Sequence, residues 1–290
     1  MQWLTLPVTF ALAFYGAMRI VNTFRPDVVA SVGGYTAVPV ILAAKLLGAR
    51  VWVHQQDVAI TLTNRLTSPL ADRLTVAWQQ SLRALPSKAR WVGNPVRPSL
   101  KRGSPELARE RFGITADLPT VLVFGGGSGA QWINGCLAPI VMPLCVRANV
   151  IHLTGKGNKP ARFACPNYFA FEFLDGEMAD ALALSDVVVC RAGMGSLTEL
   201  AALAKPAVVI PLPHSAQEGN ARAAQEACVV LDQDSTQSGD LLAAIVDLLD
   251  HPDRRVQLGK KMSALLRTDV SHELARMLLE MPKPQQCLEK

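Results

Sequence analysis

The sequence predicts an α/β protein built from two Rossmann-like halves facing a cleft. Three observations lead there. Short apolar runs alternate with helix-length amphipathic segments along the chain, the pattern of parallel strands joined by crossover helices. Strand–glycine–helix junctions at Gly33-Gly34-Tyr35 and at Gly125 to Gly129 fall one in each half. A further glycine turn, Gly193 to Gly195, follows the apolar run 186–189 and opens a helix that carries Glu199.

Taken in order, residues 1–21 are apolar apart from Gln2 and Arg19 and lack the basic start of a signal peptide. Pro7 and Gly16 interrupt this run, whose uncharged length only just suffices for a bilayer span. A core helix, a spanning helix and an interfacial helix remain open. Phe10, Phe14, Arg19 and Arg25 favour the interfacial one, with apolar groups inserted and cations on lipid phosphates. Strands are expected at 28–32, 51–53 and 74–77, with helices over 36–47 and 61–70. Residues 93–103, with Gly93, Pro95, Pro98 and Gly103, read as a linker.

A second series follows, with strands at 120–124, 149–153, 169–171, 186–189, 207–210 and 229–231. Its helices run from the Gly125 loop to about 146, over 178–184, from 196, and near 221–227, and two more close the chain. The expected division is 1–98, 99–267, and a C-terminal helix and tail at 268–290. An open parallel sheet ordinarily begins with a strand and a ligand-binding turn, so the N-terminal half is expected to be incomplete.

Composition narrows the partners. With 290 residues, half of them apolar and 18% charged, the chain can fill two cores. A net charge of +5 and a pI near 9.0 favour anionic partners such as phosphates or acidic lipid surfaces. Nucleic acid is not expected, because no Lys/Arg block or aromatic–basic stripe is present. Cysteines 136, 145, 165, 190, 228 and 287 show no metal spacing and read as reduced thiols of a cytosolic protein.

Each glycine junction has two readings. A glycine turn opening a helix presents free N–H groups and a positive dipole end to a diphosphate. The alternative is a close strand–helix crossing with no ligand. The Gly125 loop lacks the spacing of a dinucleotide fingerprint and the Lys-Ser/Thr of a P-loop, which disfavours NAD and ATP. Glu199, one helical turn in, is placed to grip a ribose hydroxyl pair. His54, beside Asp57 past a strand end, is either an acid/base group or a strand terminator bonded to backbone, and the second is preferred. His214, Gln217 and Asn220 make a polar loop that suits sugar hydroxyls or plain solvation.

These segments together resemble the bacterial MurG family, over residues 15–280. The resemblance rests on Arg25-Pro-Asp-Val-Val with Gly33-Gly34-Tyr35; His54-Gln55-Gln56-Asp57 with Asn64; Gly93-Asn-Pro-Val-Arg97; Gly125 to Ala130 with Asn134; Thr154-Gly-Lys-Gly157; Asp186 to Glu199; and Pro211 to Asn220. It implies a GT-B fold and an inverting transfer of GlcNAc from UDP-GlcNAc to lipid I, the undecaprenyl-diphosphate-linked acceptor. Work at the cytoplasmic face of an anionic membrane, as a peripheral protein, is implied too. On the donor side it implies Asp57, Arg97, Gly126, Gly127, Ser128 and Gly129, with Leu174 meeting the uracil through its backbone. Met194, Gly195, Ser196, Leu197 and Thr198 would wrap the nucleotide, with Glu199 on the ribose and Gln217 on the sugar. Gly33, Gly34, Tyr35, His54, Gln55 and Asn64 fall on the acceptor side. No D-x-D signature is seen beside the donor motifs, so neither a metal nor another cofactor is expected.

The chain departs from the family in three places. It begins after the family's G-G-T-G-G-H loop, which raises a separate N-terminal chain as a possible partner. Where the family reads His-Glu-Gln-Asn, Gln55 replaces the carboxylate and Asp57 supplies one two places on. Gly127 stands at the family's serine position, with Ser128 next to it. A non-catalytic donor-binding subunit and a GT-B transferase with another acceptor are the competing readings.

Overall fold

The computed structural model describes residues 2–115, 117–127, 129–160 and 163–282. The chain forms two compact units, Met1–Asn94 with Val270–Lys290, and Pro95–Asp269.

The first unit opens on α1 (Gln2–Phe24), which stops where Arg25 takes a φ of 48° and its N–H bonds Val21 O. β1 (Val28–Ser31), α2 (Ala37–Leu46), β2 (Arg50–Gln55), α3 (Leu62–Thr67), β3 (Arg73–Val76) and β4 (Ala89–Trp91) follow. The four strands are parallel, in the order β1-β2-β3-β4. Side chains alternate across the pleat. Val51 and Val53 of β2 therefore join Leu74, Ile41 and Ala44 in one cluster. Trp52, between them, joins Val92 and, from near the C-terminus, Met277 and Met281 in another. α1 packs on α2 through Ala17, Val21 and Ala43, with Phe14 beside them. Phe14 is thus turned toward protein, against the expectation that it faces lipid. Val8, Phe10, Leu12, Tyr15, Ile20 and Phe24 of the same helix stay exposed. Among the described residues no helix is long and apolar enough to cross a membrane.

The second unit contains α4 (Pro105–Phe112), β5 (Thr120–Phe124), α5 (Gln131–Leu137), α6 (Val141–Cys145), β6 (Asn149–Leu153), β7 (Tyr168–Phe171) and α7 (Met178–Leu184). β8 (Val187–Cys190), α8 (Met194–Leu203), β9 (Ala207–Val209), α9 (Ala216–Ala224), β10 (Val229–Val230), α10 (Ser238–Asp250) and α11 (Pro252–Leu265) complete it. Its six strands are parallel, ordered β10-β9-β8-β5-β6-β7. Val121 and Val123 of β5, Val150 of β6 and Val187 and Val189 of β8 bury against Ile133, Leu137, Leu144, Leu241 and Ile245. The helix expected to reach residue 146 breaks into α5, a short 3₁₀ turn with Pro139, and α6 with Pro143. Proline lacks the N–H that continues the ladder. Three helices, not two, follow β10, because Pro252 starts a new one and α12 (Ser271–Leu279) returns to the first unit.

The strand order positions the site. β5, β6 and β7 step one way across the sheet while β8, β9 and β10 step the other. Neighbours β5 and β8 therefore flank a topological switch point, where open α/β sheets take ligands beyond the strands' carboxyl ends.

Candidate functional site

Both glycine turns of the second unit leave that switch point. After β5, a Cβ on Gly125 would lie 2.3 Å from Ala130 Cβ, and one on Gly129 would lie 2.1 Å from Thr154 O at a φ of +78°. Glycine is obligatory at both. Gly126 and Gly127 between them are exposed, and Ser128 lies outside the described residues. After β8, Gly193 caps α8 without a side-chain hydrogen bond. The start of α8 is the positive end of its helix dipole.

Along α8, Gly195 is exposed and Ser196 half-buried, whereas Met194, Leu197 and Thr198 are buried. Thr198 Oγ1 donates to Met194 O at 2.6 Å. Glu199 faces Arg97, whose Nη2 is 3.4 Å from Glu199 Oε1. Burial pushes the Glu199 carboxyl up, and the Arg97 guanidinium opposes that shift. Arg97, Ser99, Leu100, Asp175, Gly176 and Met178 line a pocket of about 240 Å³. Leu174, just before it, has a buried side chain. On α9, Gln217 Oε1 accepts from Leu212 N at 3.1 Å, while His214 is exposed at a φ of 55°.

Sequence reasoning passed over Arg191 and read Asn220 as part of a loop for sugar hydroxyls or plain solvation. The Arg191 guanidinium donates to Ile210 O, Pro211 O and Gln233 Oε1, the last at 2.7 Å, and burial lowers its pKa. Asn220 Nδ2 bonds Ala192 O at 3.1 Å and ties α9 to the turn. A charged residue ending an apolar strand was the available signal. Asp232-Gln233-Asp234 is a D-x-D triplet distant from the glycine turns in sequence, and Arg191, just after β8, bonds its central Gln233. Asp232 Oδ1 accepts from Asp234 N at 2.8 Å, so that carboxylate is turned onto its own loop.

In the first unit, Gly33 and Gly34 take φ values of 111° and 90°, and Tyr35 is 87% exposed. Buried Asn64 donates from Nδ2 to Gln55 Oε1 at 2.7 Å, and its Oδ1 has no partner among the described residues. Gln55, fully buried, donates from Nε2 to Asp57 O and Ala59 O at 2.8 and 2.9 Å. An ionised carboxylate at this position has no proton to offer those carbonyls. Gln55 thus holds the loop that carries half-buried Asp57. His54 is structural too, but its partners are side chains and not the expected backbone: Nδ1 meets Thr75 Oγ1 at 2.9 Å and Nε2 meets Asn94 Oδ1 at 3.3 Å. Burial brings its pKa down to about 4.

Residues 2–76 match the Glycosyltransferase family 28 N-terminal domain and residues 120–274 the C-terminal domain of the same family. A UDP-N-acetylglucosamine–N-acetylmuramyl-(pentapeptide) pyrophosphoryl-undecaprenol N-acetylglucosamine transferase of Chlorobium limicola is 32% identical over 96% of this chain and 79% of its own. The crystal structure of Acinetobacter baumannii MurG aligns with a TM-score of 0.72 at 27% identity, over 95% of this chain and 79% of that one. The chain belongs to the MurG family. Another member, from Geobacillus thermodenitrificans, is 34% identical over 86% of this chain and 72% of its own. The two parallel-sheet units are those of the GT-B fold on which MurG enzymes are built. A Neisseria meningitidis UDP-GlcNAc 2-epimerase bound to UDP-GlcNAc, at 16% identity and a TM-score of 0.67, shares the fold alone.

Proposed function

We propose that this MurG-family chain is an inverting transferase that moves GlcNAc from UDP-GlcNAc to the C4 hydroxyl of MurNAc in lipid I, giving lipid II. The observation that carries this reading is the pairing of two glycine turns at one switch point with Arg97 and Glu199 beside them, in a chain 32% identical to a so-named transferase. Gly126 and Gly127 leave room for the donor diphosphate, Gly129 closes the loop around it, and the positive start of α8 and Arg97 favour its charge. Glu199 takes the ribose hydroxyls, Gln217 the sugar ring, and the backbone at Leu174 the uracil. The acceptor oxygen attacks C1 in line and gives up its proton to a base or to solvent, the C1–O bond to UDP breaks, and UDP departs with the electron pair. Gly33, Gly34, Tyr35 and Asn64 belong to the acceptor. The exposed apolar side of α1, with Arg19 and Arg25, supports a peripheral position on an anionic membrane, at its cytoplasmic face.

Calorimetry with UDP-GlcNAc, followed by UDP release on adding lipid I, tests the proposal. Binding with release is the expected result. Binding without release would leave a donor-binding subunit that needs a separate N-terminal chain, and no binding would remove the donor site.

A further inference from the structure

Behind the Gly125–Gly129 loop lies a buried chain of side chains that the reaction does not itself use. His152, on β6, is 4% exposed. Its Nδ1 lies 2.7 Å from Tyr168 Oη and its Nε2 3.0 Å from Asn134 Oδ1. Asn134 Nδ2 in turn donates to Thr154 O at 2.9 Å. The direction of every bond follows from the last one. A carbonyl only accepts, so the Asn134 amide nitrogen must face Thr154 and its oxygen must face the imidazole. His152 therefore carries its proton on Nε2, and Nδ1 accepts from the Tyr168 hydroxyl. Burial keeps the ring neutral, with a pKa brought down to about 4.

The chain ends at the atom that shapes the loop. Thr154 O is the atom a Cβ on Gly129 would strike, and Gly129 N closes the turn on Gly126 O at 2.9 Å. One residue pair on, Lys156 N bonds Gly127 O at 3.1 Å. Gly125, Gly126, Gly127 and Gly129 have no side chains with which to fix their own position, so the 154–156 segment fixes it for them.

We propose that His152 is a positioning residue for the diphosphate-binding loop: its Nε2–H orients the Asn134 carboxamide, which sets the Thr154 carbonyl against which Gly129 turns. This rests on the donor-site reading above.

Two substitutions separate the ring's nitrogens. In His152→Gln the amide nitrogen takes the place of Nε2 and keeps the donation to Asn134. In His152→Asn the shorter side chain stands in for Nδ1 and cannot reach Asn134. UDP binding by calorimetry to the full chain is expected to weaken about tenfold in H152N and to stay within about twofold of wild type in H152Q. In the transfer assay the KM for UDP-GlcNAc should rise in parallel in H152N, with kcat nearly unchanged. Equal losses in both variants would reduce His152 to packing, and a fall in kcat at constant KM, or no loss in either, would also overturn the proposal. Imidazole ¹⁵N shifts of the wild-type chain give a test that needs no variant: a proton on Nδ1 defeats the assigned direction. Wild-type chain that fails to bind UDP would instead defeat the donor site itself.

Discussion

His54 and His152, one in each unit, are wired alike: a hydroxyl meets Nδ1, and Nε2 meets an asparagine oxygen. Both pKa values are brought from 6.5 down to about 4 by burial, so the folded chain binds fewer protons than the unfolded chain between those values. Their contribution is present above pH 6.5 and is lost as pH falls toward 4, on the order of 3 kcal/mol for each ring at full titration. Glu199, whose pKa is raised, acts in the opposite sense at acidic pH. Urea unfolding at pH 7.5, 6 and 5 should give falling midpoints; equal midpoints would mean that the rings are not held neutral. At the proposed donor site, Glu199→Ala should weaken UDP-GlcNAc by about 1–3 kcal/mol, roughly 5- to 150-fold in Kd by calorimetry. Unchanged affinity would remove Glu199 from the ribose. Glu199 itself was legible because turn, helix and carboxylate are contiguous in the sequence. The partners of His54 were not, since Thr75 and Asn94 reach it only through strand register and the return of the chain.

Buried parallel strands declare themselves as apolar runs, and β2, β3, β5, β6 and β8 were all visible that way. β4 was not, because Ala89-Arg90-Trp91 is a half-exposed edge strand with a cation at its centre. α4, just past what reads as a linker, was hidden by its polar composition, although Ser104 caps it by accepting from Leu107 N and Pro105 starts it. α1 was legible as a helix, but which of its faces is covered depends on α2. Exposed Phe10, Leu12 and Tyr15 carry the membrane prediction. Replacing Phe10 and Leu12 by Asp should release the protein from anionic vesicles by at least about tenfold in sedimentation assays. Retention at the wild-type level would leave α1 without a lipid role.

At the scale of the whole molecule, the family and the two-unit plan were legible because ordered motifs span both units. The membership of α12 was not. Leu274, Met277 and Met281 pack with Trp52 and Val92, and Arg50 Nε donates to Pro282 O at 3.2 Å, so the end of the chain completes the core of its beginning. A chain stopped after Asp269 should keep hydrogen-exchange protection in β5, β6 and β8 and lose it in β2. Protection unchanged in β2 would make α12 an accessory.

The return of α12 also sets an order of events during synthesis. Residues 95–269 hold every strand of the larger sheet and can close as soon as they leave the ribosome. The first unit, though made earlier, must keep Trp52 and Val92 uncovered until some 180 further residues have been added. The unit made first is thus the later of the two to be finished, and through that interval it is the one in need of a chaperone.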